Sequence, residues 1–548
     1  MIWLIAVLFV QLAETVFVMF AEYRNPAKTA AWLLIIFMFP LIGFVMYFFL
    51  GERYRHGSKA GGRYRHVSKT GKPLWLRQQT GKPGAVGADV EAAARAAGEA
   101  VIEAADEAMG EAAGKATGKA VVVTVRRPEA VIRYGQLFPE SPITYGNRTK
   151  VLTNGEETFA AILAAIESAC AYIFVEYYTL RDDEIGRVFQ RALIKKARQG
   201  LDIRVIYDGV GSYKLPKRYV RELADAGIRC HPFLPLLSSL FTKRINYRNH
   251  RKIVVVDGAI GFLGGINVGD EYMGKNKQLG FWRDTHLQIT GNAVRDLQRT
   301  FAADWRLACG EKLASGDEIA GGEEFAGGSE IAVEGKLTGG DEITGGVNLM
   351  ATNAEFSQRI AEGGEYGEYI QIIASGPDQR GERMIKLFFA MITGANERLW
   401  LTTPYFIPDP SIVTALKLAA AKGVDIKVVI PGKPDTRLVH WASLSYVLEL
   451  LAAGVEFYEY QKGFIHSKVL IADGTMATVG SANLDMRSFY CNFELNAVLF
   501  DRAVISRLER DFANDLQDSQ AMCAENFAGR PKSQQLKEMA ARMLSPLL

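Results

Sequence analysis

Apolar positions near the start of this 548-residue chain form two almost uninterrupted runs, at residues 2–20 and 30–50. At about 1.5 Å per helical residue, each run is long enough to cross a hydrocarbon layer of roughly 30 Å. The connection between the runs is short. The pattern therefore predicts two transmembrane helices, arranged as a hairpin within residues 1–52.

Basic residues flank the two predicted helices unequally. The connection holds two of them, Arg24 and Lys28, whereas residues 51–72 hold seven. Loops rich in Lys and Arg remain on the cytoplasmic side of a membrane. We therefore expect a multi-pass membrane protein with both termini and the folded body on the cytoplasmic side. The basic stretch either serves this topology alone or also attracts anionic lipid headgroups.

Strand-like and helix-like patterns alternate from about residue 125 onward, and they occur twice. LDIRVIY at 201–207 is echoed by VDIKVVI at 424–430, and LQRTFAADW at 297–305 by LERDFANDL at 508–516. Alternation of this kind indicates an α/β fold. We predict two homologous α/β sandwich domains, residues 125–309 and 351–548, that face each other across a pseudo-two-fold axis.

Two repetitive stretches separate these predicted units. Residues 53–124 contain RYRHGSK followed by RYRHVSK and then a region rich in Ala, Glu and Gly. Residues 310–350 contain repeated Gly-Gly-acidic units such as AGGEEF and TGGDEI. Such composition predicts a linker in the first case and a surface insertion without a catalytic role in the second.

A polar motif, H-x-K-x4-D, interrupts two buried-strand patterns. It occurs in NHRKIVVVDG at 249–258 and again in IHSKVLIADG at 465–474, and the chain contains only seven histidines. Chance is therefore a poor explanation for two copies. The candidate catalytic residues are His250, Lys252, Asp257, His466, Lys468 and Asp473.

The motif residues suit chemistry on an anionic substrate, and the resemblance described below implies that this substrate is a phosphodiester. Side chains two apart on a strand share a face, so each His projects together with its Lys. The ammonium groups can neutralise phosphate without a metal, and no Cys/His cluster has zinc spacing, so we predict no metal and no cofactor. One imidazole would attack phosphorus while the other donates a proton. For the two aspartates, a structural turn is at least as good an explanation as direct chemistry.

Small residues follow each Asp-Gly pair and would let the backbone approach a ligand closely. The first turn ends in Asn267, and the second contains Ser481 and Asn483. These side chains can form hydrogen bonds with a bound phosphate. We predict that all three bind substrate.

With these two motifs the chain resembles the phospholipase D superfamily, whose members build one site from two such halves. The resemblance implies a covalent phosphohistidine, with His250 as the nucleophile and His466 as general acid and then general base. It also implies that an acidic residue on the following strand orients each imidazole. The matching positions here are Asp284 and Glu494.

The wider context resembles the membrane-anchored cardiolipin synthases of bacteria. The resemblance rests on a hairpin followed by two motif-bearing halves, with RNPAKTAAW at 24–32, PLIGFVMYFFLG at 40–51 and a terminal SPLL. It implies an enzyme of the bacterial inner membrane that transfers a phosphatidyl group between two phosphatidylglycerols and releases glycerol. Its partners would be phosphatidylglycerol, other anionic phospholipids and the bilayer.

Charge and composition limit the alternatives. The 64 basic and 61 acidic residues give a net charge of +3, which argues against nucleic acid as a partner and against a membrane-tethered nuclease. A hydrolytic phospholipase D that forms phosphatidic acid stays open, because the acceptor depends on how well the pocket excludes water. Two intact motifs argue against a non-enzymatic scaffold. The five dispersed cysteines fit reduced thiols facing the cytosol, and oligomeric state is not predicted.

Overall fold

The structure, a computed structural model of the chain, describes residues 32–33, 35–36, 137–235, 246–311, 313, 367–378 and 382–545. The described residues all belong to one unit, which takes in Pro128–Leu548. Nearly all of the predicted hairpin and insertion, and the whole predicted linker, lie outside them. Among the described residues, no helix combines the length and the apolar character needed to cross a bilayer.

The first half alternates strands and helices in the predicted order. Its strands are β1 (Ile143–Thr153), β2 (Tyr172–Tyr177), β3 (Asp202–Asp208), β4 (Arg229–Phe233), β5 (Arg248–Asn249), β6 (Ile253–Val256), β7 (Ile260–Gly264), β8 (Phe281–Arg283) and β9 (Thr285–Thr290). Its helices are α1 (Asn154–Ser168), α2 (Glu184–Ala197), α3 (Lys217–Asp225) and α4 (Ala293–Cys309), and a short 3-10 helix spans Asp270–Met273.

The second half repeats this order and adds a C-terminal extension. Its strands are β10 (Glu368–Ser375), β11 (Arg398–Thr402), β12 (Phe406–Ile407), β13 (Asp425–Pro431), β14 (Glu456–Tyr460), β15 (Gly463–Ile465), β16 (Val469–Ala472), β17 (Met476–Gly480), β18 (Leu484–Asp485), β19 (Asn492–Leu499) and β20 (Ser519–Ala521). Its helices are α5 (Arg383–Gly394), α6 (Pro410–Ala421), α7 (Arg437–Leu451), α8 (Met486–Tyr490), α9 (Arg502–Gln517), α10 (Ala524–Ala528) and α11 (Lys532–Met543).

A single mixed sheet of 16 strands crosses both halves, in the order β20-β14-β13-β11-β16-β17-β19-β10-β1-β9-β7-β6-β2-β3-β4, with β5 paired to β19. The series from β14 to β10 mirrors the series from β4 to β1. The two series meet at the antiparallel pair of β1 with β10. The predicted α/β class and the duplication are confirmed, and the two halves share one continuous sheet.

The buried core also continues across the junction. Strands β6 and β16, which follow the two motifs, are buried along their whole length. Such continuous apolar runs are typical of strands covered on both faces. One apolar cluster contains Phe301 and Trp305 of α4 together with Leu508 and Phe512 of α9. Packing of this kind makes the halves one cooperative body.

Two buried ion pairs lie at the junction of the halves. Arg251 pairs with Asp304 of α4, and its Nε atom donates to the backbone oxygen of Glu494 at 3.1 Å. Arg283 pairs with Asp515 of α9, with 2.7 Å between Nε and Oδ1. The two aspartates occupy equivalent positions in the matching helices LQRTFAADW and LERDFANDL. Only the Arg283–Asp515 pair joins the halves by charge. Arg251, held by Asp304 within the first half, reaches the second half through hydrogen bonds to the backbone oxygens of Glu494 and Ser375.

We expect the substitution Arg251→Met to lower the free energy of unfolding by about 3–5 kcal/mol, because it leaves a buried carboxylate without its partner. Burial and the neighbouring Asp304 already raise the pKa of Glu176, so two carboxyl groups would then lie close together without the guanidinium. Urea denaturation of the detergent-solubilised protein, followed by tryptophan fluorescence, measures the change.

The matched control is Lys195→Met, which breaks an ion pair with Glu167 that is largely exposed on both sides. Exposed pairs contribute little, so its urea midpoint should equal that of the wild type. A wild-type midpoint for Arg251→Met as well would contradict the role of the buried pair.

Candidate active site

Each motif histidine directly follows a short strand that pairs with a strand of the opposite half. Strand β5, which precedes His250, pairs in parallel with β19, and the His250 backbone N–H donates to Phe493 O at 2.9 Å. Strand β15, which precedes His466, pairs in parallel with β8, and the His466 N–H donates to Arg283 O at 2.7 Å. These exchanged strand pairs bring the two motifs together.

Each imidazole is held by a carboxylate of the other half. The Nδ1 atom of His250 lies 3.0 Å from Glu494 Oε2, and that of His466 lies 2.8 Å from Asp284 Oδ2. Both carboxylate side chains are completely buried. A carboxylate at Nδ1 fixes the tautomer and leaves Nε2 as the reacting atom. Neither half alone contains an oriented imidazole.

Glu494 is held by a dense set of hydrogen-bond donors. Its carboxylate accepts from Ser481 Oγ at 2.5 Å, from Ser488 Oγ at 2.9 Å and from Asn492 Nδ2 at 3.1 Å. Burial raises the pKa of Glu494, but His250, Lys252 and the hydrogen bond from Ser481 lower it by more, so the net pKa lies below the usual value. Ser481 thus binds the orienting carboxylate, whereas the sequence predicts that it contacts substrate.

Asp284 is held differently from Glu494. It accepts from the Thr285 backbone N–H at 2.8 Å and from Trp282 Nε1 at 3.3 Å. A Cβ atom at Gly265, the position equivalent to Ser481, would lie 2.1 Å from Asp284 Oδ1. Asp284 therefore requires glycine at this position. In the second half, the longer side chain of Glu494 accepts a hydrogen bond from the Ser481 hydroxyl instead. Burial raises the pKa of Asp284, and the adjacent imidazole brings the net value below normal.

The two motif lysines are buried beside the imidazoles. Lys252 Nζ donates to His250 O at 2.5 Å, and Lys468 Nζ donates to His466 O at 2.6 Å. Burial lowers the pKa of Lys252 to about 7 and that of Lys468 to about 8, while the carboxylates of Asp284 and Glu494 partly oppose this shift in both lysines. In the part of the chain that the structure describes, no cluster of His, Cys, Asp or Glu side chains is arranged to hold a metal ion.

Aromatic side chains enclose the imidazoles. The ring of Tyr178 lies edge-on 5.2 Å from that of His250, and the rings of Trp282 and Phe464 lie 5.1 and 5.9 Å from that of His466. Burial lowers the pKa of both imidazoles, to about 3 for His466. Burial therefore favours the neutral form of both rings. Sequence patterns do not predict Trp282 or Phe464, although each lies two residues before a site residue.

The motif aspartates lie away from the imidazoles. The carboxylate of Asp257 accepts from the backbone N–H groups of Cys170 and Tyr172 at 2.7 and 2.8 Å, and that of Asp473 accepts from Arg398 N at 3.0 Å. At about 3.3 Å per residue, the intervening strand puts each of them roughly 20 Å from its motif histidine. These contacts fit the structural alternative that the sequence left open: the two carboxylates tie their turns to the starts of β2 and β11.

The side-chain amides of the two predicted substrate-binding asparagines form hydrogen bonds within their own halves. Asn267 accepts from the Thr179 N–H at 3.1 Å and donates to Tyr272 Oη at 2.9 Å, so its amide is used within the first half. Asn483 donates to Asp485 Oδ2 at 3.0 Å. Both side chains organise the loops behind the motifs.

Comparison with known proteins agrees with this arrangement. A family described as "Cardiolipin synthase, PLD-like domain" matches residues 162–305 and again residues 388–516. A second family, described as "Phospholipase_D-nuclease N-terminal", matches residues 15–52. The first family thus covers both motif-bearing halves.

Relatives that match this chain over nearly its whole length are described as cardiolipin synthases. A cardiolipin synthase of Geobacillus kaustophilus is 39% identical over 96% of this chain and 90% of its own length. Cardiolipin synthase 2 of Bacillus cereus is 38% identical over 97% of this chain and 89% of its own length. A shared length of this extent includes both halves and the N-terminal region.

A solved structure supports the fold. The chain is similar to a phosphatidylserine synthase of Haemophilus influenzae, with a TM-score of 0.55 and 15% identity over 76% of this chain and all of that one. At this identity the similarity concerns the fold alone. The duplicated motifs, the family match and the full-length relatives together lead to one conclusion: the chain belongs to the cardiolipin synthase family of phospholipase D-like proteins.

Proposed function

We propose that this protein is a cardiolipin synthase that transfers a phosphatidyl group from one phosphatidylglycerol to a second and releases glycerol. Membership of the family makes it a phosphatidyltransferase that acts on phospholipids. The observation that carries the specific reaction is the pair of imidazoles, each held at Nδ1 by a carboxylate of the other half.

Substrate binding would use the two buried lysines. Their pKa values are lowered by burial, so their amino groups are only partly protonated at neutral pH. An anionic phosphodiester nearby favours the charged form and restores positive charge where it is needed. The ammonium groups would then stabilise negative charge that develops on the phosphoryl oxygens.

In the first step, Nε2 of His250 attacks phosphorus, and a bond from phosphorus to nitrogen forms as the bond to the glycerol oxygen breaks. His466 gives its proton to that oxygen, and glycerol leaves as a neutral alcohol. Asp284 favours the protonated imidazole at His466, and the substrate anion adds to this effect. Glu494 supports the positive charge that develops on His250 during attack.

In the second step, a terminal hydroxyl of another phosphatidylglycerol attacks the phosphohistidine. His466, now neutral, accepts the hydroxyl proton while the bond between phosphorus and His250 breaks. Cardiolipin leaves and both imidazoles return to their starting state. Water in place of the lipid hydroxyl would yield phosphatidic acid, the hydrolytic alternative.

The N-terminal region would hold this chemistry at the membrane. Its two apolar runs are long enough for a helical hairpin, and the N-terminal family match covers residues 15–52. The excess of basic residues after residue 50 supports a body on the cytoplasmic side of the bacterial inner membrane. A membrane anchor keeps the site next to two lipid substrates and a lipid product.

Labelled phosphatidylglycerol in vesicles tests the reaction. We expect the purified protein to form cardiolipin with release of glycerol, resolved by mass spectrometry. His250→Ala should form no lipid product, because the nucleophile is absent. Phosphatidic acid as the only wild-type product would replace transfer with hydrolysis.

The two histidine roles can be separated with an activated donor, a phosphatidyl ester of p-nitrophenol, whose leaving group needs no proton. We expect His466→Ala to accumulate phosphohistidine from this donor, detected by rapid acid-free quenching and mass spectrometry. His250→Ala should accumulate none. The opposite pattern would exchange the two roles.

Ligand affinity should depend on pH through the two lysines. Because their pKa values are lowered to about 7 and 8, their charge is present below that range and is lost above it. We expect a soluble short-chain phosphatidylglycerol to bind the inactive His250→Ala protein about tenfold more tightly at pH 6.5 than at pH 9. Isothermal titration calorimetry measures this difference.

The control is Lys462→Gln, which removes an exposed lysine, and it should keep the same pH dependence. Lys252→Arg should weaken the dependence, since guanidinium stays charged throughout this range. Equal affinity at both pH values would contradict the binding role of the lysines.

A further inference from the structure

A shallow cavity, open to solvent, lies beside Phe464 in the second half. All of its walls come from the second half, and they include Tyr405, Asp435, His440 and Phe464. The ring of Phe464 lies 5.9 Å from that of His466, so this residue is shared between the cavity and the active site. The cavity is therefore next to the proposed general acid.

The cavity is lined by both apolar and polar side chains. Tyr405 Oη donates a hydrogen bond to Asp435 Oδ2, which leaves the exposed carboxylate with further capacity to accept. His440 is half-buried, and burial lowers its pKa, so its imidazole is neutral at neutral pH. A carboxylate and a neutral imidazole both accept hydrogen bonds from hydroxyl groups.

The first half has no phenol at the position of Tyr405. Continued along the chain, the registers of β2 with β3 and of β11 with β13 make Thr179 the counterpart of Tyr405. The next residues agree, because the backbone N–H groups of Leu180 and Phe406 each donate to a serine hydroxyl, of Ser212 and Ser443. The Thr179 hydroxyl faces the backbone oxygen of Gly211. The duplicated site is therefore asymmetric at the position of Tyr405.

The proposed mechanism requires such an asymmetry. With His250 as the nucleophile, the leaving alcohol departs from the opposite side of phosphorus, next to His466. The second step reverses the first, so the attacking alcohol enters where the leaving alcohol departed. Both alcohols are glycerol hydroxyls. A single alcohol subsite beside His466 therefore serves both steps.

We propose that Tyr405, Asp435 and His440 form this subsite and bind the glycerol group of phosphatidylglycerol through its hydroxyls. The leaving glycerol occupies it first, and the glycerol of the acceptor lipid then takes its place. Binding a hydroxyl there holds it in line with phosphorus and gives it an advantage over water. The inference rests on the proposed function and adds the residues that select the acceptor.

The test compares Asp435→Ser and Asp435→Asn with Tyr405→Phe. Loss of a hydrogen bond to a charged group should lower the ratio of cardiolipin to phosphatidic acid by about tenfold in the Asp435 variants, with a smaller fall for Tyr405→Phe. Formation of phosphohistidine from the p-nitrophenyl donor should stay within about twofold of wild type, because no glycerol takes part. A merely structural role would reduce both quantities together.

The matched control is Glu456→Gln, an exposed carboxyl group in β14 of the same half that lies outside the cavity lining. Its product ratio should equal that of the wild type. Melting temperatures of all variants should also match, since Asp435 is exposed and breaks no buried contact.

Competition between labelled glycerol and labelled ethanolamine as free acceptors identifies the ligand. We expect the wild type to prefer glycerol and Asp435→Asn to lose that preference. Selective loss of ethanolamine transfer would overturn the inference, because Asp435 would then bind an ammonium group.

Two further outcomes separate the inference from the function on which it rests. Phosphatidic acid as the only wild-type lipid product would overturn both. Cardiolipin formation by the wild type, with unchanged product ratios and Michaelis constants in all three variants, would overturn the alcohol subsite alone.

Discussion

The contact between each imidazole and a carboxylate of the opposite half is the interaction on which the site depends. An imidazole without such a partner can change tautomer and rotate, whereas a carboxylate at Nδ1 fixes both. The exchanged strand pairs β5–β19 and β15–β8 bring these groups together. The continuous sheet, the shared apolar cluster and the two buried arginine pairs keep the halves in that relation. The contacts that stabilise the junction of the halves therefore also maintain the geometry of the site.

Burial shifts the pKa values of the ionisable groups of this site in opposite directions. Because it favours the neutral form of each group, it lowers the pKa of lysine and imidazole and raises that of a carboxyl group. Glu494 and Asp284 remain ionised because hydrogen bonds and nearby imidazoles offset the loss of water. The pKa values of the two lysines, about 7 and about 8, lie close to neutral pH. The lysines therefore gain positive charge when an anion binds, and this charge stabilises the negative charge that develops during phosphoryl transfer.

Duplication gives two equivalent sets of catalytic groups, but a two-step transfer needs one nucleophile and one acid. Small departures from symmetry distinguish the sets. Gly265 with Asp284 replaces Ser481 with Glu494, and Thr179 in the first half stands where the second half has Tyr405. A symmetric scaffold therefore supplies the pairing of groups, and local substitutions supply the difference between them.

The sequence by itself determined the α/β class, the duplication and the paired His-x-Lys motifs, because strand burial and short-range spacing are local properties of the chain. It also identified Asp284 and Glu494 as candidates. Only the tertiary structure decided that each carboxylate serves the other half, that Asp257 ties a turn and that Ser481 holds Glu494. His250 and Glu494 are 244 residues apart, and contacts over such separations follow from packing between elements, which no local periodicity encodes.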